Sequence, residues 1–557
     1  MGHQEHCFAA VIEITTKKEL LDMSTSTRRD MLKFGGPGMA ALAYGVHASA
    51  APLRANPVSH QNIFDVRTFG AKGDGKAVDT PAINRAIEAA AAAGGGTVFF
   101  PSGTYMCFSI HLKSYVDLYL AQGSVILAAD GPKPGESSGY NGGKYDAPEP
   151  KTEWDAYQDF GHNHWHNSLM WGEDIHDFSI TGPGLIWGRG LTAGHGNHVL
   201  PDGVGNKSIA LKNCRNVIFR DFSVLKGGHF ALLLTAVDNC TVDNLKIDTD
   251  RDGIDIDCCR NVRVSNCTVN SPEDDAICPK SSYALGYARS TENVTITNCY
   301  TTGKYEIGSL LDGTFKVSKL ANSKEATGRI KCGTESNGGF RNITISNCIC
   351  EGSRGIALES ADGALLEDIA ITNITMRECT VSPLYIRLCA RMRGPKDVKI
   401  GTVRRVYIDN FISYNSSSLQ PAIIAGIPQA MMEDVRLSNI YFHQVGGAPK
   451  EMADLVPDQK WNIYPDPTRM GDMPSHGLFL RNIKRVDISN VELRLEKPDP
   501  RPAVWAQNVQ ELDLFRIKSP ASTGPHNYVF KEVSDLSLAG SRGVSDISVS
   551  RADDRAF

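Results

Sequence analysis

The sequence predicts an all-β solenoid of parallel strands, closed at its N-terminal end by a short helix. Three observations predict it. A five-residue strand motif recurs along most of the chain. The intervals between copies match single turns of a coil, some with inserted loops. One amphipathic helical segment stands alone before the first copies.

The motif is apolar, any, apolar, any, Asn. It occurs as Val262-Val264-Asn266, Val294-Ile296-Asn298, Ile343-Ile345-Asn347, Ile369-Ile371-Asn373, Val406-Ile408-Asn410, Val435-Leu437-Asn439 and Val486-Ile488-Asn490. Period two places each triplet on one strand face, with the Asn turned inward and bonded to its copies on neighbouring rungs. Spacings between these asparagines run from 22 residues (266 − 244) to 51 (490 − 439). A sandwich would pack its strands closer in sequence, and repetition of one unit indicates a solenoid with rungs about 4.8 Å apart.

The capping unit is expected over 62–105. Thr80 serves as N-cap and Pro81 as the first helical residue, with Ile83, Ala86, Ile87 and Ala90 on one face. Gly94-Gly95-Gly96 ends the helix and Thr97-Val98-Phe99-Phe100 continues as a strand. Such a helix shields the open end of a strand stack. The repeat domain is expected over 57–545, with loop insertions at 130–168, 312–328 and 444–475. Long loops on a solenoid line its working face.

Composition narrows the function classes. A net charge of −5 does not suit a general nucleic-acid binder, and no apolar run reaches membrane-spanning length. Residues 1–50 read as a twin-arginine export signal. Arg28-Arg29 leads into a Gly/Ala-rich stretch ending near Ala48-Ser49-Ala50, and Met23 offers an alternative start. A periplasmic or extracellular location follows. The 14 cysteines fit neither a disulfide framework nor a zinc site. Cys214, Cys240, Cys267, Cys299 and Cys348 each follow an Asn and read as buried small apolar residues.

Chemistry concentrates in two acidic strings, DRDGIDID from Asp250 and EDDAICPKSS from Glu273. Asp252 lies 8 residues after Asn244 and Asp274 lies 8 after Asn266, which places them at matching points on consecutive rungs. Carboxylates this close repel, so one holds a proton while its neighbours stay ionised. A glycosidase needs that division between acid and base. Calcium would prefer ligands within one loop, so no metal and no cofactor is expected. HNHWHN at 162–167 reads as a wet loop, not a metal site.

DRDGIDID, EDDAICPKSS, IGS at 307–309 and RIK at 329–331 occur in that order. With FGAKGDG…GGGTVFFPSGTY near the start, they resemble the polygalacturonases of glycoside hydrolase family 28 across most of 60–520. The resemblance implies a right-handed, single-stranded, pectin-lyase-like parallel β-helix that hydrolyses pectic polysaccharide with inversion. It implies Asp274 as general acid, with Asp252 and Asp275 sharing the base role. If both adjacent aspartates serve the site, the backbone must bulge there. It also implies that Arg329 and Lys331 hold a substrate carboxylate, with Lys280 at a third binding position.

Departures from the family pattern suggest a changed substrate. The family's Asn-Thr before the first aspartate is Asp250-Arg251, and the His of its Gly-His-Gly is Gly303. Loss of that ring is expected to leave space. Arg251 is expected to pair with Asp252 or contact the sugar. Glu306, 8 after Asn298, is expected to extend the acidic column by one rung. Together these point to a mixed substrate, such as galacturonate alternating with rhamnose or a decorated galacturonate. The loops at 130–168, 312–328 and 444–475, expected to wall off the groove, point to attack at chain ends or on short branched fragments, and a monomer is expected. Two rival functions remain: a β-helix lyase, which would use a basic residue to eliminate, and a non-catalytic glycan-binding β-helix.

Overall fold

Apolar alternation coils this chain into a right-handed parallel β-helix. The computed structural model describes residues 62–194, 200 and 202–557. The export-signal stretch at 1–50 therefore lies outside the described residues. Among the described residues no helix is long and apolar enough to cross a membrane.

Successive rungs pair in parallel with side chains in register. Val262, Val294, Ile343, Ile369, Val406, Val435 and Val486 form one inward file. All are buried in one continuous core. Similar β-branched shapes stacked at each rung suit the close packing of an interior.

The Asn of the motif does not point inward as expected. Asn266, Asn298, Asn347, Asn373 and Asn410 adopt φ between 51° and 58°. Left-handed backbone breaks the strand's alternation, so the Asn turns outward and the next residue turns in. Asn tolerates that conformation better than other side-chain-bearing residues. The expected rung-to-rung bonding exists, but outside: Asn373 donates to Asn347 at 3.0 Å and Asn410 to Asn373 at 2.8 Å. The inward neighbours Cys214, Cys240, Cys267, Cys299 and Cys348 are buried free thiols.

Helix α1 spans Thr80–Ala92 and buries Ile83, Ala86, Ile87 and Ala90. Asp79, not Thr80, occupies the N-cap position. Its carboxylate instead accepts from the amides of Lys72 and Gly73 at 2.7 and 3.0 Å. Thr80 accepts from the Phe108 amide at 2.8 Å. At the other end Tyr528–Ala539 pairs antiparallel with Ile547–Ala556, so the ordered stack runs past residue 545.

A separate six-stranded sheet carries the working face. It includes β1 (Lys207–Lys212), β2 (Phe230–Thr235) and β3 (Asp252–Asp257), with β4 (Ile277–Lys280) at its edge. The short strand β5 (Lys331–Cys332) continues this face. The second insertion starts earlier than expected: the rung ends at Thr302 and resumes at Ile330.

Candidate active site

The three aspartates meet through one extra residue. The rung preceding β3 pairs with the next at an offset of 22, as in Lys246 with Thr268. In the sheet the offset becomes 23, as in Ile254 with Ile277. The bulge between Asn270 and Ile277 therefore moves the register by one. Asp252 stacks on Asp275, not on Asp274 as the sequence spacing suggested. The Asp275 amide donates to Asp252 Oδ1 and to Asp274 Oδ1, both at 3.1 Å. One carboxylate oxygen from each of Asp252, Asp274 and Asp275 lies within 4.8 Å of the others.

Their surroundings divide them. Burial pushes Asp275 up, but Lys331, Arg329 and Lys280 outweigh it and hold the carboxyl well below the usual range. Arg329 Nε donates to Asp275 Oδ1 at 2.7 Å and Lys331 Nζ pairs with the other oxygen. Burial raises Asp252 to about 6, with the Asp274 charge adding and Lys280 partly offsetting. Arg251 pairs with Asp274 at 2.5 Å, so its expected pairing with Asp252 is corrected. Side chains of Arg251 and Asp274 are 21% and 24% exposed, which leaves this pair at the open surface of the site. Arg329 and Lys331 are buried and engaged with Asp275.

A second tier of residues lies beneath. Ile254 and Ile256 face the core, so Asp255 and Asp257 face outward under the loops. Alternation along DRDGIDID was the signal for them. Lys280 Nζ sits 3.6 Å from Asp252 and 3.5 Å from Asp255. Burial raises Asp255 well above the ordinary carboxylate range, and Asp252's charge adds to it. His162 lies 3.7 Å from Asp255 and pairs through Nδ1 with Glu335. The wet-loop reading of 162–167 is thereby corrected: His162, Trp165 and Asn167 are buried. Nothing in local sequence brings 162 beside 255 or 335, because only the loop's fold does so.

His162, Asp252 and Asp255 bring three ligand-type atoms together, as do the three aspartates themselves. Lys280, Arg329 and Lys331 already supply positive charge to both groups, so a divalent cation would meet repulsion there.

Two substrate-related expectations fail. Glu306 is exposed on the 303–329 insertion and adds nothing to the column. Gly303 leaves no space: a Cβ there would lie 3.0 Å from Gly352 O, 3.1 Å from Thr327 N and 3.2 Å from Gly328 N. The inserted backbone occupies the volume a ring would need.

A profile described as glycosyl hydrolases family 28 matches residues 152–338, which contain all three aspartates, Arg329 and Lys331. Over these residues the chain is similar to glycoside hydrolase family 28. A second profile, rhamnogalacturonase A/epimerase, pectate lyase-like, matches residues 63–144. A probable polygalacturonase of Vitis vinifera is 21% identical over 497 residues, covering 85% of this chain and 90% of the relative. Alginate lyase 7 of Azotobacter vinelandii is 64% identical over only 42 residues, 8% of this chain and 5% of that protein. The exopolygalacturonase of Thermotoga maritima superposes with a TM-score of 0.54 at 17% identity, covering 78% of this chain and 91% of that one. That likeness concerns the fold.

Proposed function

We propose that this glycosidase hydrolyses galacturonate-containing pectic chains from their ends, with inversion at the anomeric carbon. The observation that carries the chemistry is the unequal environment of three carboxylates whose oxygens lie within 4.8 Å. Asp275 is held as an anion and orients water. Asp252 and Asp274 accept from one amide, which holds their carboxyls close enough to pass a proton between them. Below about pH 6 it sits on Asp252, whose carboxyl is raised by burial and by the neighbouring Asp274 charge.

The cycle balances within that pair. The proton passes from Asp252 to Asp274. Asp274 gives it to the glycosidic oxygen as the bond to the anomeric carbon breaks. Water adds to that carbon and its proton goes to the Asp252 carboxylate. Asp252 ends protonated and Asp274 ionised, as they began.

End-directed action is supported by the loops. Asp159, from the first insertion, pairs with Arg393 at 2.6 Å, and its amide donates to Glu335. Tyr464 and Asp466, from the third, bond to Thr334 and Arg354. In this reading the linked loops wall off a groove that would otherwise be open at both ends. With Glu306 exposed and Gly303 filled by backbone, the case for a rhamnose-alternating substrate loses two of its three supports and keeps only Arg251. Export through the Arg28-Arg29 signal belongs to the same proposal.

Inversion rests on the family pattern. General spacing rules assign about 6.5–9.5 Å to inverting carboxyl pairs and about 5–5.5 Å to retaining ones. The close oxygens here favour a second reading, in which Asp252 attacks the sugar directly. Proton NMR of fresh product separates the two: the inverted anomer is expected, and the retained anomer establishes the covalent route. Product analysis tests the reaction class, since hydrolysis gives saturated ends and an ultraviolet-absorbing unsaturated product would overturn it. A rapid viscosity drop with few new reducing ends would overturn the end-directed reading.

A further inference from the structure

Lys207 opens β1 and is fully buried. It belongs to the same outward file as the catalytic groups, because Lys207 pairs with Phe230 and Phe230 with Asp252. Two rungs separate it from Asp252, roughly 10 Å along the groove. Its ammonium donates to Asn206 Oδ1 at 2.6 Å and to Asn167 Oδ1 at 3.4 Å. Among the described residues no carboxylate forms an ion pair with it, and 195–199 and 201 contain no acidic residue.

Buried cations are ordinarily paired, and an unpaired one is costly. Burial lowers the Lys207 ammonium to about 7, with only Glu149 acting against it. Beside it lies a cavity of about 370 Å3, lined by Asn163, His164, Asn167 and Asn206 among others. Asn167 and Asn206 turn their oxygens to Lys207, and each leaves its Nδ2 without a partner. Both side chains are at least 99% buried.

Acids at the cavity wall are already committed. Glu149 accepts from the amides of Trp165 and His166. Asp155 accepts from Thr152, and Asp159 pairs with Arg393. What remains is one positive charge with only neutral amide oxygens against it and two amide donors with no acceptor. A carboxylate, with two acceptor oxygens and one negative charge, matches that set.

We propose that Lys207, Asn167 and Asn206 form a second carboxylate-binding subsite, which takes a uronate of the same chain two rungs from Asp252. The subsite rests on the galacturonate reading above and adds to it a requirement for a second acidic sugar. Phe230, between Lys207 and Asp252 in the file, keeps the two charges apart.

The test uses the full chain and its Lys207→Met and Lys207→Gln variants. Removing an unpaired buried charge is expected to leave the fold intact, and thermal melting checks this. Calorimetry with pentagalacturonate and digalacturonate reads binding apart from turnover. Lys207→Met is expected to weaken pentagalacturonate about tenfold, the scale of a charge-assisted hydrogen bond, and to leave digalacturonate unchanged. Methyl-esterified pentagalacturonate should show no such difference between the proteins. Equal affinity of wild type and both variants for pentagalacturonate would overturn the subsite. So would equal losses on both oligomers. A protein that binds pentagalacturonate through Lys207 but cleaves none would overturn the hydrolytic reading and leave the subsite standing.

Discussion

Asp252 and Asp275 stack on neighbouring rungs, and the Asp275 amide donates to the Asp252 carboxylate at 3.1 Å. The same amide donates to Asp274. A single backbone group therefore sets the spacing of the three carboxyls. Any change that shifts the bulge between Asn270 and Ile277 shifts all three together.

Asp274→Asn retains size but cannot deliver a proton. Losing general acid help lowers kcat by roughly 10²–10⁴. Circular dichroism and melting should match the parent, because Asp274 is partly exposed. Near-normal turnover in the folded variant would refute its role.

The shared proton gives a pH signature. Asp252 stands at about 6, above its ordinary 3.8. Raising pH through about 6 removes the proton, so kcat/KM of the wild type should fall along an alkaline limb there. The sign for stability is the same. Between 3.8 and 6 the folded state binds more protons at Asp252 than the unfolded state. This group's contribution is thus complete below 3.8 and lost as pH rises through 6. A limb far from 6 would argue against the shared proton.

Arg251 pairs with Asp274, and its charge also favours the ionised form of Asp252. Arg251→Gln should therefore move the alkaline limb to higher pH. A drop in rate with an unmoved limb would mean Arg251 acts on substrate alone.

Glu335 is buried and holds His162 from a distant loop. His162→Leu leaves that carboxylate without its ring partner, which costs on the order of 1–3 kcal/mol. A lower midpoint in chemical denaturation is expected, and an unchanged midpoint would show that the clasp contributes nothing.

Gly303→His restores the residue type of the family pattern. Backbone atoms at 3.0–3.2 Å from the new Cβ leave it no room. The variant should melt lower and gain no activity. An increase in kcat/KM on galacturonate oligomers would show that the insertion yields.

The repeat was legible because stacking imposes the same side-chain demand on every rung, so inward Val and Ile recur at fixed intervals. The carboxyl-bearing residues were legible for a similar reason: three acids on adjacent rungs depart from that demand. Glu306 misled because the offset from an Asn predicts register only while the rung stays uninterrupted, and the chain leaves its rung at Thr302. By itself the sequence determined the solenoid, its helical cap and the identity of Asp252, Asp274 and Asp275. Tertiary structure alone decided that Asp252 stacks on Asp275, that Arg329 and Lys331 serve Asp275, and that His162 is buried over Asp255. A one-residue bulge and loops that return from far along the chain set these contacts. Neither depends on local periodicity, which is the part of the physics a sequence displays.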